Sequence, residues 1–247
     1  MLPLLLGCTG NVPQPPASVI AAEAVAVADE APPIPKPAAK AKRTQLGEGV
    51  WLETDGAHRR VIVAAQVCLR SGEYGLECFL CRRGSKEHES ILQTAANAQI
   101  IHAALLAAGA KEGSPVQFMP QFKSPTGTAI KVSVRYEEKG KTVTVPAQKW
   151  VRHSRTKKDL EHDWVFAGSI LWQDPEAKDK PPVYTANMEG GYICLTNVPT
   201  AMLDLPVNSP KALENRSYEP HTERIPELET KVELILEPVL PKDAKPR

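Results

Sequence analysis

The sequence predicts an α+β fold: a mostly antiparallel β-sheet with one main α-helix, at about residues 86–108, packed on it. Three observations carry that expectation. Short segments alternate apolar and polar residues, most clearly Ile130, Val132, Val134 and Tyr136, the two-residue period of a half-buried strand. One long stretch, Ile91, Leu92, Ala95, Ala98, Ile101, Leu105 and Ala108, repeats instead at helical spacing. Many short strands with a single helix against them is an α+β arrangement.

In chain order, residues 1–8 read as a truncated lipoprotein-type signal. Leu4-Leu5-Leu6-Gly7-Cys8 has the form of a lipobox, in which the cysteine is lipidated after cleavage at the small residue before it. No Lys or Arg precedes Cys8, and the apolar core is shorter than an export signal requires, so the front of the signal is expected to be missing. Residues 9–48 read as a disordered tether. Pro13, Pro15, Pro16, Pro32, Pro33, Pro35 and Pro37 are mixed with alanine, a composition that buries too little apolar surface to offset the entropy of ordering.

The folded domain is placed at 49–237 and a disordered tail at 238–247. Val61–Leu69 and Leu76–Cys81 are strand-like, and the Gly72 and Gly75 loop between them suggests a hairpin. A register symmetric about Glu73 would set Cys68 opposite Cys78. The helix follows, with Ser85 as N-cap and Gly109 as the C-terminal glycine. Further strands are expected at 115–118, 128–136, 141–146, 165–172, 183–185, 191–196 and 231–237. Residues 197–229 are expected to be irregular.

Composition excludes several functions. A formal charge of +1 offers nucleic acid no basic footprint. No run of 18 apolar residues is present, so no helix of this chain spans a membrane, and membrane association is expected through the lipid on Cys8. Glycine-rich phosphate loops and the G-x-S-x-G elbow are absent from the sequence.

The segments GSKEHESIL (84–92), HAALLAAGA (102–110), GSPVQF (113–118), PTGTAIKV (125–132), EHDWVFAGS (161–169) and NVPTAMLDLP (197–206) resemble the YdjY-like domain of planctomycete proteins. The resemblance covers roughly residues 61–237. It implies a domain often carried behind an export signal, and it assigns no reaction. A ferredoxin-like label attached to some relatives does not transfer, because this chain lacks the closely spaced four-cysteine run of bacterial-type iron–sulfur ligation.

The candidate chemistry centres on cysteine and histidine. With Cys8 as anchor, Cys68, Cys78, Cys81 and Cys194 remain. They are read either as buried free thiols or as including a Cys68–Cys78 disulfide. Cys78, Cys81 and His88 supply the ligand types for a metal, with zinc the one they would suit, although C-x2-C-x6-H matches no strong zinc signature. Cys81 as nucleophile with His88 as base is the enzyme reading, helped by a helix N-terminus that would stabilise thiolate. His153, Asp159, Glu161, His162 and Asp163 form a polar cluster, with Glu161 and His162 its best-fixed part. His102 reads as a core-edge histidine with a satisfied ring. The overall expectation is a cell-envelope lipoprotein displaying a binding or structural domain, with no cofactor and with a protein or small-molecule partner. The alternative is a metal- or thiol-dependent enzyme centred on Cys81 and His88.

Overall fold

The computed structural model describes residues 41–56, 58–72, 75–209 and 216–240; Cys8, the lipobox and nearly all of the tether and tail lie outside them. Fifteen strands follow in order: β1 Lys42–Gly47, β2 Val50–Asp55, β3 His58–Val67, β4 Cys78–Arg82, β5 Ser90–Thr94, β6 Ala129–Glu138, β7 Lys141–Pro146, β8 Val151–His153, β9 Trp164–Phe166, β10 Leu171–Trp172, β11 Val183–Tyr184, β12 Gly191–Cys194, β13 Leu203–Asp204, β14 Tyr218–Pro220 and β15 Lys231–Pro238. Helix α1 is Ala98–Ala107 and α2 is Thr185–Glu189.

Eight of these strands close on themselves. The circuit runs β3–β15–β6–β9–β13–β12–β4–β5 and returns to β3 through Gln66 opposite Gln93 and Val67 opposite Leu92. Two neighbours, β12–β13 and β4–β5, are parallel and the other six pairings are antiparallel. β1 and β2 extend the sheet beyond β3, and β7 extends it beyond β6. The expected α+β packing of a main helix on a sheet is therefore corrected to a closed eight-strand β-barrel with small helices.

The correction has one origin. The expected helix at 86–108 divides into a 3-10 turn at Glu87–Glu89, strand β5 and the shorter α1. Ile91 and Leu92 are adjacent and both fully buried, so β5 is covered on both faces and shows no alternation. Their spacing to Ala95 and Ala98 coincides with a helical stripe by chance. The true N-cap is Asn97, whose side chain accepts from the Gln99 amide at 2.8 Å. The C-terminus is as expected: Gly109 is left-handed at φ +99°, its amide reaches Leu106 O and that of Ala110 reaches Leu105 O.

The expected hairpin does not form, because β5 lies between β3 and β4. Cys68 therefore faces β5, its amide donating to Ile91 O, and the partner of Cys78 across β12 is Cys194. The domain also starts before residue 49. β1 lies inside the segment assigned to the tether, and its Arg43 binds the buried carboxylates of Glu53 at 2.8 Å and Glu233 at 2.6 Å.

The interior is filled by alternate residues: Val61, Val63 and Ala65 of β3, Leu234 and Leu236 of β15, Ile130, Val132 and Val134 of β6. Few aromatics are present, yet they concentrate here. The Phe79 ring lies 5.7 Å from Trp164 and 6.4 Å from Trp150, and Trp150 lies 5.6 Å from Tyr136. Helix α1 packs on β2 and β3, burying Ile101, Ala104 and Leu105 in the same core.

Candidate functional site

A cavity of about 380 Å³ opens beside α1 and is lined by Gln99, His102, Glu112, Gly168, Ser169, Leu171 and Tyr184. Helical spacing puts Gln99 and His102 on one face of α1. Glu112 follows the glycine that ends α1, Gly168 and Ser169 follow β9, and Tyr184 ends β11.

His102 sits between two partners. Its Nδ1 is 2.9 Å from the Tyr184 hydroxyl and its Nε2 is 3.1 Å from the Glu112 carboxylate. The imidazole stands edge-on to Phe166 and Tyr184, with ring centroids 4.8 and 5.5 Å away. Burial pushes the His102 pKa below its ordinary value, while the Glu112 charge and the Gly168 carbonyl oppose that shift. The neutral ring gives its Nε2 proton to Glu112 and accepts from Tyr184 at Nδ1. A charged ring donates to both, and Tyr184 then turns its one hydrogen to Gly168 O, also 2.9 Å away. Burial, foremost, raises the Tyr184 pKa well above the ordinary phenol range, so its hydroxyl stays protonated.

The neighbouring loop is held in an uncommon conformation. Gly168 (φ +92°) and Ser169 (φ +63°) are both left-handed. A Cβ on Gly168 would approach the Glu112 carboxylate to 3.0 Å, so glycine here leaves the carboxylate its place. Ser169 is not a free nucleophile: its Oγ donates to Thr200 O at 2.7 Å and accepts from the Ala186 amide at 3.1 Å. From the β10–β11 ribbon, the exposed Leu171 supplies the apolar part of the lining, and Trp172 and Val183 are exposed beside it in the sequence of the two strands.

The residues predicted from sequence are dispersed. His88 is 77 % exposed, with the Glu89 carboxylate 4.0 Å from its Nε2, whereas Cys81 is buried. What surrounds Cys81 is the Cys68 thiol, then the Ser90 hydroxyl and the Lys86 backbone amide. Cys68 donates its thiol to Ser90 O at 3.0 Å. Cys78 lies with Cys194 in a separate small cluster with Val198 and Ala201. Among the described residues no group of three His, Cys, Asp or Glu side chains is arranged to hold a metal ion.

Glu161 and His162 line a second cavity of about 230 Å³ with His153, Asp159 and Tyr218, and no cysteine. Hydrogen bonds from Lys149 and then Arg224 hold the Asp159 carboxyl down at about 2. The KEHES motif is explained by structure. Lys86 Nζ is 2.5 Å from Glu77, Glu89 is 2.8 Å from Arg216, and Ser90 Oγ donates to Leu92 O, so the motif ties the 3-10 turn to the barrel while His88 points away.

The segments that build the cavity at His102 and the barrel fall inside a single sequence family: the YdjY domain matches residues 52–237. The chain belongs to the YdjY domain family. Comparison with curated proteins and with solved structures finds no match to either. Of the cavity in this YdjY barrel, sequence reasoning singled out His102 alone. Glu112, Gly168, Ser169 and Tyr184 come from separate loops and strand ends, and no local spacing links them. The left-handed Gly168-Ser169 pair at the end of the EHDWVFAGS segment was the one available signal.

Proposed function

We propose that this chain is a cell-envelope protein, anchored through lipid on Cys8, whose YdjY barrel binds a small cationic or neutral hydrogen-bonding ligand with an apolar portion. The observation that carries the binding reading is the convergence of His102, Glu112 and Tyr184 on one cavity whose apolar edge is Leu171. Pockets with a few convergent polar groups and an apolar wall are the usual form of small-molecule sites. The sign of the ligand follows from the lining. Glu112 carries the one fixed charge among the described lining residues, Tyr184 stays neutral, and burial disfavours charge on His102. An ammonium would therefore be favoured and a carboxylate repelled. Catalysis at Cys81 has less support, since His88 projects into solvent while Cys81 is buried.

The test uses phenethylamine, 2-phenylethanol and 3-phenylpropionate, which present an ammonium, a hydroxyl and a carboxylate on one apolar group. Calorimetric titration should rank the amine first and the acid last. Glu112→Gln should weaken the amine about tenfold, as expected for loss of a charge-assisted hydrogen bond, and leave the alcohol nearly unchanged. Equal affinity for all three, or none, would count against the reading. The anchoring reading rests on Leu4–Cys8 and the Pro/Ala segment behind it. Expressed behind a complete export signal, the chain should partition into detergent, and Cys8→Ala should abolish that. Equal partitioning of both forms would exclude it.

A further inference from the structure

We propose that Cys78 and Cys194 are a built disulfide site, joined during folding in an oxidising compartment to lock β4 to β12. The two residues are direct partners in the antiparallel β4–β12 ladder, and their sulfurs are 3.5 Å apart with no bond between them. Directly opposed antiparallel residues have Cα separations of ~4.5–5.5 Å, inside the ~4.4–6.8 Å that a disulfide spans. The backbone therefore already stands where a bridge requires it, and side-chain rotation closes the remaining gap.

The surroundings fit a sulfur pair. Both cysteines are fully buried in their own cluster with Val198 and Ala201, apart from the barrel interior. Gly191, which begins β12, faces both sulfurs: a Cβ there would lie 3.1 Å from Cys194 Sγ and 3.2 Å from Cys78 Sγ. Its φ is not in the left-handed region, so glycine at 191 supplies space and not backbone freedom. The Trp164 indole N–H donates to Cys194 O at 2.8 Å and fixes that residue from the far side.

The other cysteine pair differs. Cys68 and Cys81 flank β5 on opposite sides, Cys68 beside Ile91 and Cys81 beside Gln93. Two strand spacings separate such backbones by ~9.5 Å, beyond the ~7 Å limit for a bridge. Their thiols touch, and they stay reduced.

Burial dictates the timing, because an oxidant reaches neither sulfur in the closed barrel. In the folding chain the Cys78 thiolate attacks a low-molecular-weight disulfide of the glutathione type, breaking its S–S bond and releasing one thiol. The Cys194 thiolate then attacks the Cys78 sulfur of the mixed disulfide and expels the second thiol. Two protein thiols are oxidised by two electrons, one external disulfide is reduced to two thiols, and the two cysteine protons end on those leaving thiols. The loop closed spans 116 residues, so the bond strongly restricts the unfolded chain.

The experiment is refolding of the full chain carrying Cys8→Ala, from the reduced unfolded state, in mixed oxidised and reduced glutathione. Free thiols are then blocked with N-ethylmaleimide and peptides mapped by mass. The expected product links Cys78 to Cys194 and carries alkylated Cys68 and Cys81. Its Tm should exceed that of the reduced protein by about 10 °C, a shift absent from the Cys78→Ala/Cys194→Ala double variant. If that variant fails to fold, the map of the natural thiols decides. Folded oxidised protein with both cysteines alkylated, or with either joined to Cys68 or Cys81, would overturn the proposal.

Discussion

On one side of the barrel β3, β15 and β6 run in unbroken antiparallel register, six residue pairs at each of two interfaces. On the other side β9, β13, β12, β4 and β5 complete the circle with strands of two to five residues, and the β12–β4 register shifts twice along its length. The long side has apolar residues on alternate positions and, on its other face, the ion pairs of Arg43, Arg135, Glu53 and Glu233. The short side carries the left-handed Gly168-Ser169 pair beside the cavity, both opposed cysteines and the buried Asp204. Regular pairing supplies a rigid frame, and short strands place unusual groups where long ones would not allow them.

If β5 is a barrel strand, Leu92→Ala should destabilise by about 3 kcal/mol, the same order as Leu234→Ala on the long side, because each opens a cavity in one shared core. Urea unfolding of both variants measures this. A loss below ~1 kcal/mol at Leu92 alone would mean that the short side frays independently. Arg43→Met tests the long side. Breaking a buried ion pair from one end costs ~3–5 kcal/mol, but Arg135 stays 3.0 Å from Glu233 and Arg60 stays 3.5 Å from Glu53. About 3 kcal/mol is expected, and deletion of residues 1–48 should lose at least as much, since it removes β1 with Arg43.

Asp204 sharpens the contrast through pH. Burial raises its carboxyl to about 7 despite hydrogen bonds from Asn197 and the Leu205 amide, and its Oδ2 has no partner. The folded state therefore holds this proton more tightly than the unfolded state does. Its contribution is fully present below about pH 4 and is lost as pH rises to about 7. Asp204→Asn, which mimics the protonated acid, should be nearly neutral at pH 4 and stabilising by about 2 kcal/mol at pH 8. Equal effects at both pH values would contradict this.

The same division explains what could be read from sequence. β6 was legible because one face is core and the other is not, which leaves a clean alternation in Ile130–Tyr136, while β15 was legible from Val232, Leu234 and Leu236 although Glu233 and Ile235 between them are buried too. β5 was not, because both faces are buried and its closing partners lie in β3 and β4, which are not its hairpin neighbours. β2, Val50–Asp55, is not among the expected strands, and its polar members Glu53 and Asp55 pair with Arg43 and Arg60. Of the cavity, His102 could be seen on α1, but Glu112 and Tyr184 reach it only after the barrel closes. Cys194 likewise gives no sign in the sequence of lying opposite Cys78.

The smallest expected effect lies at His88. As a solvent-exposed side chain it should tolerate Gln within ~0.5 kcal/mol, with the alkylation rate of Cys81 unchanged. A tenfold fall in that rate at constant stability would restore the thiol-enzyme reading centred on Cys81 and His88.

If the cavity at His102, Glu112 and Tyr184 is the binding site of this YdjY domain, amide chemical-shift mapping during phenethylamine titration will show it. Saturable shifts should gather at residues 99–112, 168–172 and 184, and the His102 ring signals should move with them. Shifts gathered at the second cavity around Glu161 and His162, or spread without saturation, would contradict it.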